Sequence, residues 1–180
     1  IDLFRSYSGK ADDYGNLRTW RGRTEWAKTK PGDYVTDEPG EPFYEPARKL
    51  SEKDVFRLMR DRMNWTKWWP DNTTKSKDTR CFATGRQATA HVLAVRQGLP
   101  TPLAATMWVA HGPAEHSVFL PVNATVNATA ADYAYDVTAK SYYYDPKCAS
   151  HAFRRLAALA EKDRWKLGLD VKGSFSELET

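Results

Sequence analysis

Cysteine and histidine are scarce in this chain of 180 residues, with two and four copies respectively, and that scarcity excludes a good deal. No Cys-x-x-Cys pair exists, no His-Glu-x-x-His helix, no phosphate-cradling glycine loop and no Gly-x-Ser-x-Gly elbow, so these signatures of zinc, nucleotide and serine-hydrolase sites are missing. His111 and His116 are five apart across a Gly-Pro turn, a poor spacing for two ligands on one helical face, and no metal or cofactor is expected. No apolar run is long enough to span a bilayer, and the mean hydropathy is -0.68. Ile1-Asp2-Leu3-Phe4-Arg5 lacks the basic-then-apolar opening of a secretory signal, so an exported form is expected to have shed one. The net charge of +4 is spread among 23 acids with no basic run, which argues against nucleic-acid binding.

What is present is a folding composition, 41% hydrophobic and 28% charged, unusually rich in Trp and Tyr. Four of the five asparagines open an Asn-x-Ser/Thr sequon, at Asn64, Asn72, Asn123 and Asn127. That pattern reads as a glycoprotein of the secretory pathway, secreted or lysosomal/vacuolar, with these asparagines on surface loops. The opposing reading is a cytosolic chain rich in threonine. Cys81 and Cys148 fit either one disulfide or two buried thiols, and an oxidising compartment favours the bridge.

Residues 1–50 alternate glycine and proline with isolated apolar residues and read as an irregular packing arm. A helix is expected over 51–63, capped by Ser51 with Asp54 as its fourth residue, and with Val55, Leu58, Met59 and Met63 on one face. Trp65, Trp68, Trp69 and Pro70 then form either an aromatic plug over the core or a platform for sugar or peptide. Antiparallel strands are expected within 81–126, buried on both faces, at Ala90–Arg96, Ala104–Ala110 and Ser117–Val122. A second helix is expected over 150–165 with Phe153, Leu156, Leu159 and Ala160 inward, followed by a polar tail with no closing element. The order implies an α+β fold. Cys148 and His151, three apart at a helix start, resemble a nucleophile and its base, although a structural cysteine is the commoner use of such a position.

Several pieces in order resemble the dipeptidase A and secernin family of N-terminal nucleophile (Ntn) hydrolases. They are Arg5-Ser6-Tyr7, Tyr14-Gly15 with Arg18-Thr19-Trp20-Arg21, Arg60-Asp61-Arg62, and Arg80-Cys81-Phe82 with Thr89-Ala90-His91-Val92. The most specific is Trp108-Val109-Ala110-His111-Gly112-Pro113 running into Ser117-Val118-Phe119-Leu120-Pro121. The resemblance covers residues 1–165 and implies an αββα sandwich and amide hydrolysis by an N-terminal cysteine, whose own α-amine, titrating near pH 8, takes the thiol proton.

Residue 1 is Ile, so the resemblance further implies a processed portion whose nucleophile lies on a companion chain from the same precursor, acting on a peptide or amide. No catalytic residue is carried over. Arg80, His91 and Trp108 are implied as pocket residues, and Asn123 as an oxyanion donor if it bears no glycan. The rival expectation is a non-catalytic secreted glycoprotein that binds peptide or glycan through its Trp and Tyr side chains.

Overall fold

A computed structural model describes residues 13–33, 43–67, 69, 81–123, 125–128, 130–133 and 144–179. The chain forms two compact units, 1–82 and 83–180.

Among its described residues, the first unit forms two helices. α1, Asp13–Trp26, lies inside the stretch that the sequence marks as irregular. Its glycines and its weak apolar pattern hide it, because Leu17 and Trp20 are its main inward apolar residues and tertiary contacts supply what propensity does not. Leu17 is buried with Met63 and Cys81, and Trp20 packs against them. The end of α1 is fastened by backbone rather than by side-chain apolarity. Lys28 N–H donates to Glu45 O at 2.8 Å, Ala47 N–H to Trp26 O at 2.7 Å, and Lys30 Nζ to the carbonyls of Thr24 and Glu25.

α2 runs Glu52–Met59 and stops short of the 51–63 expected. Its start is as read: Ser51 and Asp54 form a reciprocal capping box. Phe56 and Leu58 are its buried apolar residues, whereas Met63 reaches the core from a turn beyond the helix, at φ 61°. Arg48 adds two contacts to Asp54, and with the Ser51 amide and hydroxyl holds that carboxyl well below the usual range. A depressed folded pKa gives stability that is present above the unfolded value of about 4 and is lost on acidification. Asp54→Ala is therefore expected to remove about 1 kcal/mol at pH 7. The gap to the parent should narrow below pH 4, as urea melts at pH 7 and pH 3 would show.

The second unit is a three-stranded antiparallel sheet in the order β1-β2-β3, with β1 Thr89–Val95, β2 Ala105–His111 and β3 Leu120–Asn123. A turn through Gly98 and one helical turn, α3 Thr101–Ala104, join β1 to β2. A 3₁₀ turn, Ala114–His116, follows β2. α4, Ala149–Ala160, continues through a 3₁₀ and a π turn into α5, Leu169–Leu178. The C-terminal stretch thus closes with helix, and Glu179 accepts the Phe119 amide at 2.7 Å.

Register assigns the faces. Ala90, Val92 and Ala94 share one face with Thr106, Trp108 and Ala110, and there Ala90, Thr106 and Ala110 are buried. α4 packs on β2, burying Ala157 and Ala160; Leu159, expected inward, is exposed. The opposite face differs from the double burial expected. Leu93, Val95, Met107 and Val122 stand there with exposures between 36% and 72%. Apolar density in these strands therefore marks one face covered by helix and a second apolar face left open, which a linear pattern cannot distinguish from double burial.

Candidate functional site

The most family-like segment is also the structural hub of the second unit. β2 ends at His111, and Gly112 turns the chain at φ 79°, a conformation that favours glycine. Its amide donates to Ala88 O at 2.7 Å, and a Cβ there would lie 3.6 Å from Arg154 Cγ and 3.9 Å from Phe153 Cβ. Gln87 Oε1 accepts the Ala114 amide at 3.0 Å, tying the turn to the start of β1. Gly112→Ala is expected to destabilise the unit by about 1–2 kcal/mol, nearly all of it backbone strain, measurable by chemical denaturation.

Beyond that turn lies a buried charged network. Arg164 Nη1 donates to Glu115 Oε2 at 2.8 Å, and its Nη2 contacts Glu161 Oε1. His116 Nε2 lies 3.4 Å from Glu161 Oε1 and 3.6 Å from Glu115 Oε2. Glu115 and His116 are almost fully buried. Glu115, His116 and Glu161 offer ligand atoms within 4.8 Å of one another. Arg164 nevertheless holds both carboxylates in the place a cation would take, so the set is satisfied as an ion-pair network. Neighbouring His111 meets Tyr133 in a tilted arrangement, ring centroids 5.4 Å apart, and burial lowers its pKa while raising that of Tyr133.

The pocket residues expected from sequence are divided between environments. Arg80 lies outside the described residues, as do Asn72, Trp68 and Pro70. His91 is exposed on the open face of the sheet, opposite Val109. Trp108 and Asn123 lie on the helix-covered face. Asn123 Oδ1 accepts from Thr106 Oγ1 at 2.9 Å, and Arg96 Nη1 donates to the same hydroxyl oxygen at 3.2 Å. This fixes the Asn123 amide with its NH₂ as the donor end, which either an oxyanion contact or a glycan linkage would use. Among the other sequon asparagines, Asn64 is half-buried and Asn127 exposed. Trp69 is buried and Trp65 is 87% exposed, with ring centroids 5.1 Å apart, so one ring packs inward and the other stands open.

Cys81 and Cys148 are both buried with free thiols. Cys148 Sγ lies 3.2 Å from Ser150 Oγ at the head of α4, while His151 Nδ1 accepts the Asp145 amide at 3.0 Å. That nitrogen is engaged by the backbone, and the segment fastens the helix start.

In the first unit two family-like motifs meet. Arg21 donates through Nε and Nη2 to the two carboxylate oxygens of Asp61, at 3.0 and 2.8 Å, and Asp61 Oδ1 also accepts the Met63 amide at 2.7 Å. Sequence reasoning singled out both motifs without joining them; a charge pair forty residues apart leaves no periodic signal.

The sequence model of peptidase family C69 matches residues 2–172. A probable dipeptidase B of Lactococcus lactis subsp. lactis is 28% identical over 182 aligned residues, 99% of this chain and 37% of that protein. The chain thus spans little more than a third of the length of the curated relative it matches. With a family match across nearly its whole length, the chain belongs to peptidase family C69.

Proposed function

We infer that this chain is a processed portion of a thiol-dependent, dipeptidase-like peptidase or amidase, secreted or lysosomal, whose N-terminal nucleophile lies on a companion chain from the same precursor. The observation that carries the reading is the open sheet face. A sheet with α4 behind it and the exposed Leu93, Val95, Met107 and Val122 in front supports the reading; in this proposal it is one half of an αββα sandwich, and a second sheet from the companion chain is the other. The family match and the dipeptidase relative support peptide hydrolysis as the chemistry. In that scheme the companion cysteine attacks the scissile carbonyl while its α-amine takes the proton. The Asn123 NH₂ is available as an oxyanion donor on this chain. The sequons at Asn64 and Asn127, in half-exposed and exposed backbone, support passage through the secretory pathway.

Intact native protein should hydrolyse dipeptide naphthylamides and lose that turnover on treatment with a thiol-blocking reagent. Turnover indifferent to the reagent, or none, overturns the enzyme reading. The exposed Trp65 ring favours the second reading, a non-catalytic glycoprotein that binds peptide or glycan. Glycan or peptide binding that quenches tryptophan fluorescence, without turnover, would support it. Enzymatic deglycosylation with no mass shift would contradict the secretory assignment.

A further inference from the structure

A cleft of about 320 Å³ opens beside the Gly112 turn, between the residues that lead into β1 and the outer side of α4. Its polar lining is one-sided. Arg86 and Arg154 both face it, and among the described residues no carboxylate pairs with either. Gln87 also lines it, and because its Oε1 accepts the Ala114 amide, its NH₂ remains the donor end. The acidic side chain in the lining, Glu161, is engaged by Arg164. Pro113 and Ala157 add an apolar wall.

The cleft thus offers two guanidinium groups and an amide donor over a small apolar surface, with one oxygen of its carboxylate, Glu161 Oε1, engaged by Arg164. Guanidinium groups bind carboxylates in two-pronged fashion, and a low-polarity wall adjoining them suits a short aliphatic body. The geometry points to a binding site for a small carboxylate with an apolar substituent, of the size of an acylated amino acid, separate from any nucleophile and independent of the peptidase reading. Arg86 and Arg154 hold the carboxylate, and Gln87 donates a further hydrogen bond. The Gly112 turn borders the Arg154 stem: a Cβ added at Gly112 would lie 3.6 Å from Arg154 Cγ.

The test is a titration of the intact native protein, followed by calorimetry and ligand-observed NMR, with N-acetylalanine, its uncharged amide and inorganic phosphate. N-acetylalanine is expected to bind at least about tenfold more tightly than the amide, and to weaken as salt is added. Arg154→Gln and Arg86→Gln should each weaken it by about tenfold, with circular dichroism unchanged because both side chains are exposed. Equal binding of acid and amide, no binding of either, or variants that bind as the parent does would overturn the proposal. Phosphate binding more tightly than the acid, and lost in Arg154→Gln, would also overturn the carboxylate assignment in favour of a phosphate site. None of these readouts depends on turnover, so failure here and failure of the peptidase reading are separable.

Discussion

Replacing Asp61 by alanine is expected to destabilise the first unit by about 3 kcal/mol in urea denaturation at neutral pH. The Arg21 guanidinium is largely shielded, with 10% of its side chain exposed, and Asp61 supplies both of its two-pronged contacts. Truncation leaves that cation with Glu25 as its remaining carboxylate, at 2.9 Å, and removes the acceptor of the Met63 amide. Met63 is fully buried at a positive φ, so the turn that carries it into the core loses its anchor at the same time. Burial lowers the Arg21 pKa, but the hydrogen bond and charge of Asp61 and the charge of Glu25 more than offset it and leave it raised. The guanidinium therefore stays charged, and the variant cannot escape the penalty by releasing a proton. Asp61→Asn should retain about half of the stability, since its amide oxygen can accept from Arg21 or from Met63. A loss below about 1 kcal/mol for Asp61→Ala would mean that the pair is a surface ornament and not a tie between motifs.

Arg164→Ala should have an effect of similar size in the second unit, about 3 kcal/mol, because it removes one partner of the buried Glu115 carboxylate in a shielded ion pair. The double variant Arg164→Met with Glu115→Gln removes both charges and should recover more than half of that loss. A double-mutant cycle reads the coupling directly. Additive losses across the cycle would show that Arg164 and Glu115 act independently. The network fixes the 3₁₀ turn that follows Gly112-Pro113 against the α4–α5 run, and so holds the segment that most resembles the Ntn hydrolase family.

How far the sequence disclosed this arrangement follows from which forces leave a local trace. The capping box at Ser51 and Asp54 is a contact within one turn, and it is legible. The antiparallel meander is legible for the same reason: apolar runs broken by Gly98-Leu99-Pro100 and His111-Gly112-Pro113 record their own turns. α1 was hidden because Gly15 and Gly22 lower its propensity and its stability comes from residues more than forty positions away. The end of α2 is not legible, since Met63 continues the helical spacing while the backbone has already turned at φ 61°. The exposed sheet face leaves no trace in sequence either, because an apolar residue on an open face looks the same in a linear pattern as one that is covered. Of the site residues, Trp108 and Asn123 share a sheet face and His91 lies on the other, a separation that follows from strand parity once the register is known. The donor-rich cleft left no motif at all, as Arg86 and Arg154 are brought together by the fold.

The proposed function makes this chain one portion of a thiol-dependent hydrolase whose reactive cysteine lies elsewhere in the same precursor. The most direct measurement is to inactivate the native protein with an iodoacetamide reagent, then locate the label by denaturing mass spectrometry and N-terminal sequencing. The account predicts loss of dipeptide hydrolysis with the label on the N-terminal cysteine of a companion chain, while Cys81 and Cys148, both buried, stay unmodified. Inactivation that maps to Cys81 or Cys148, or a preparation that contains the Ile1 chain by itself and is active, would contradict it.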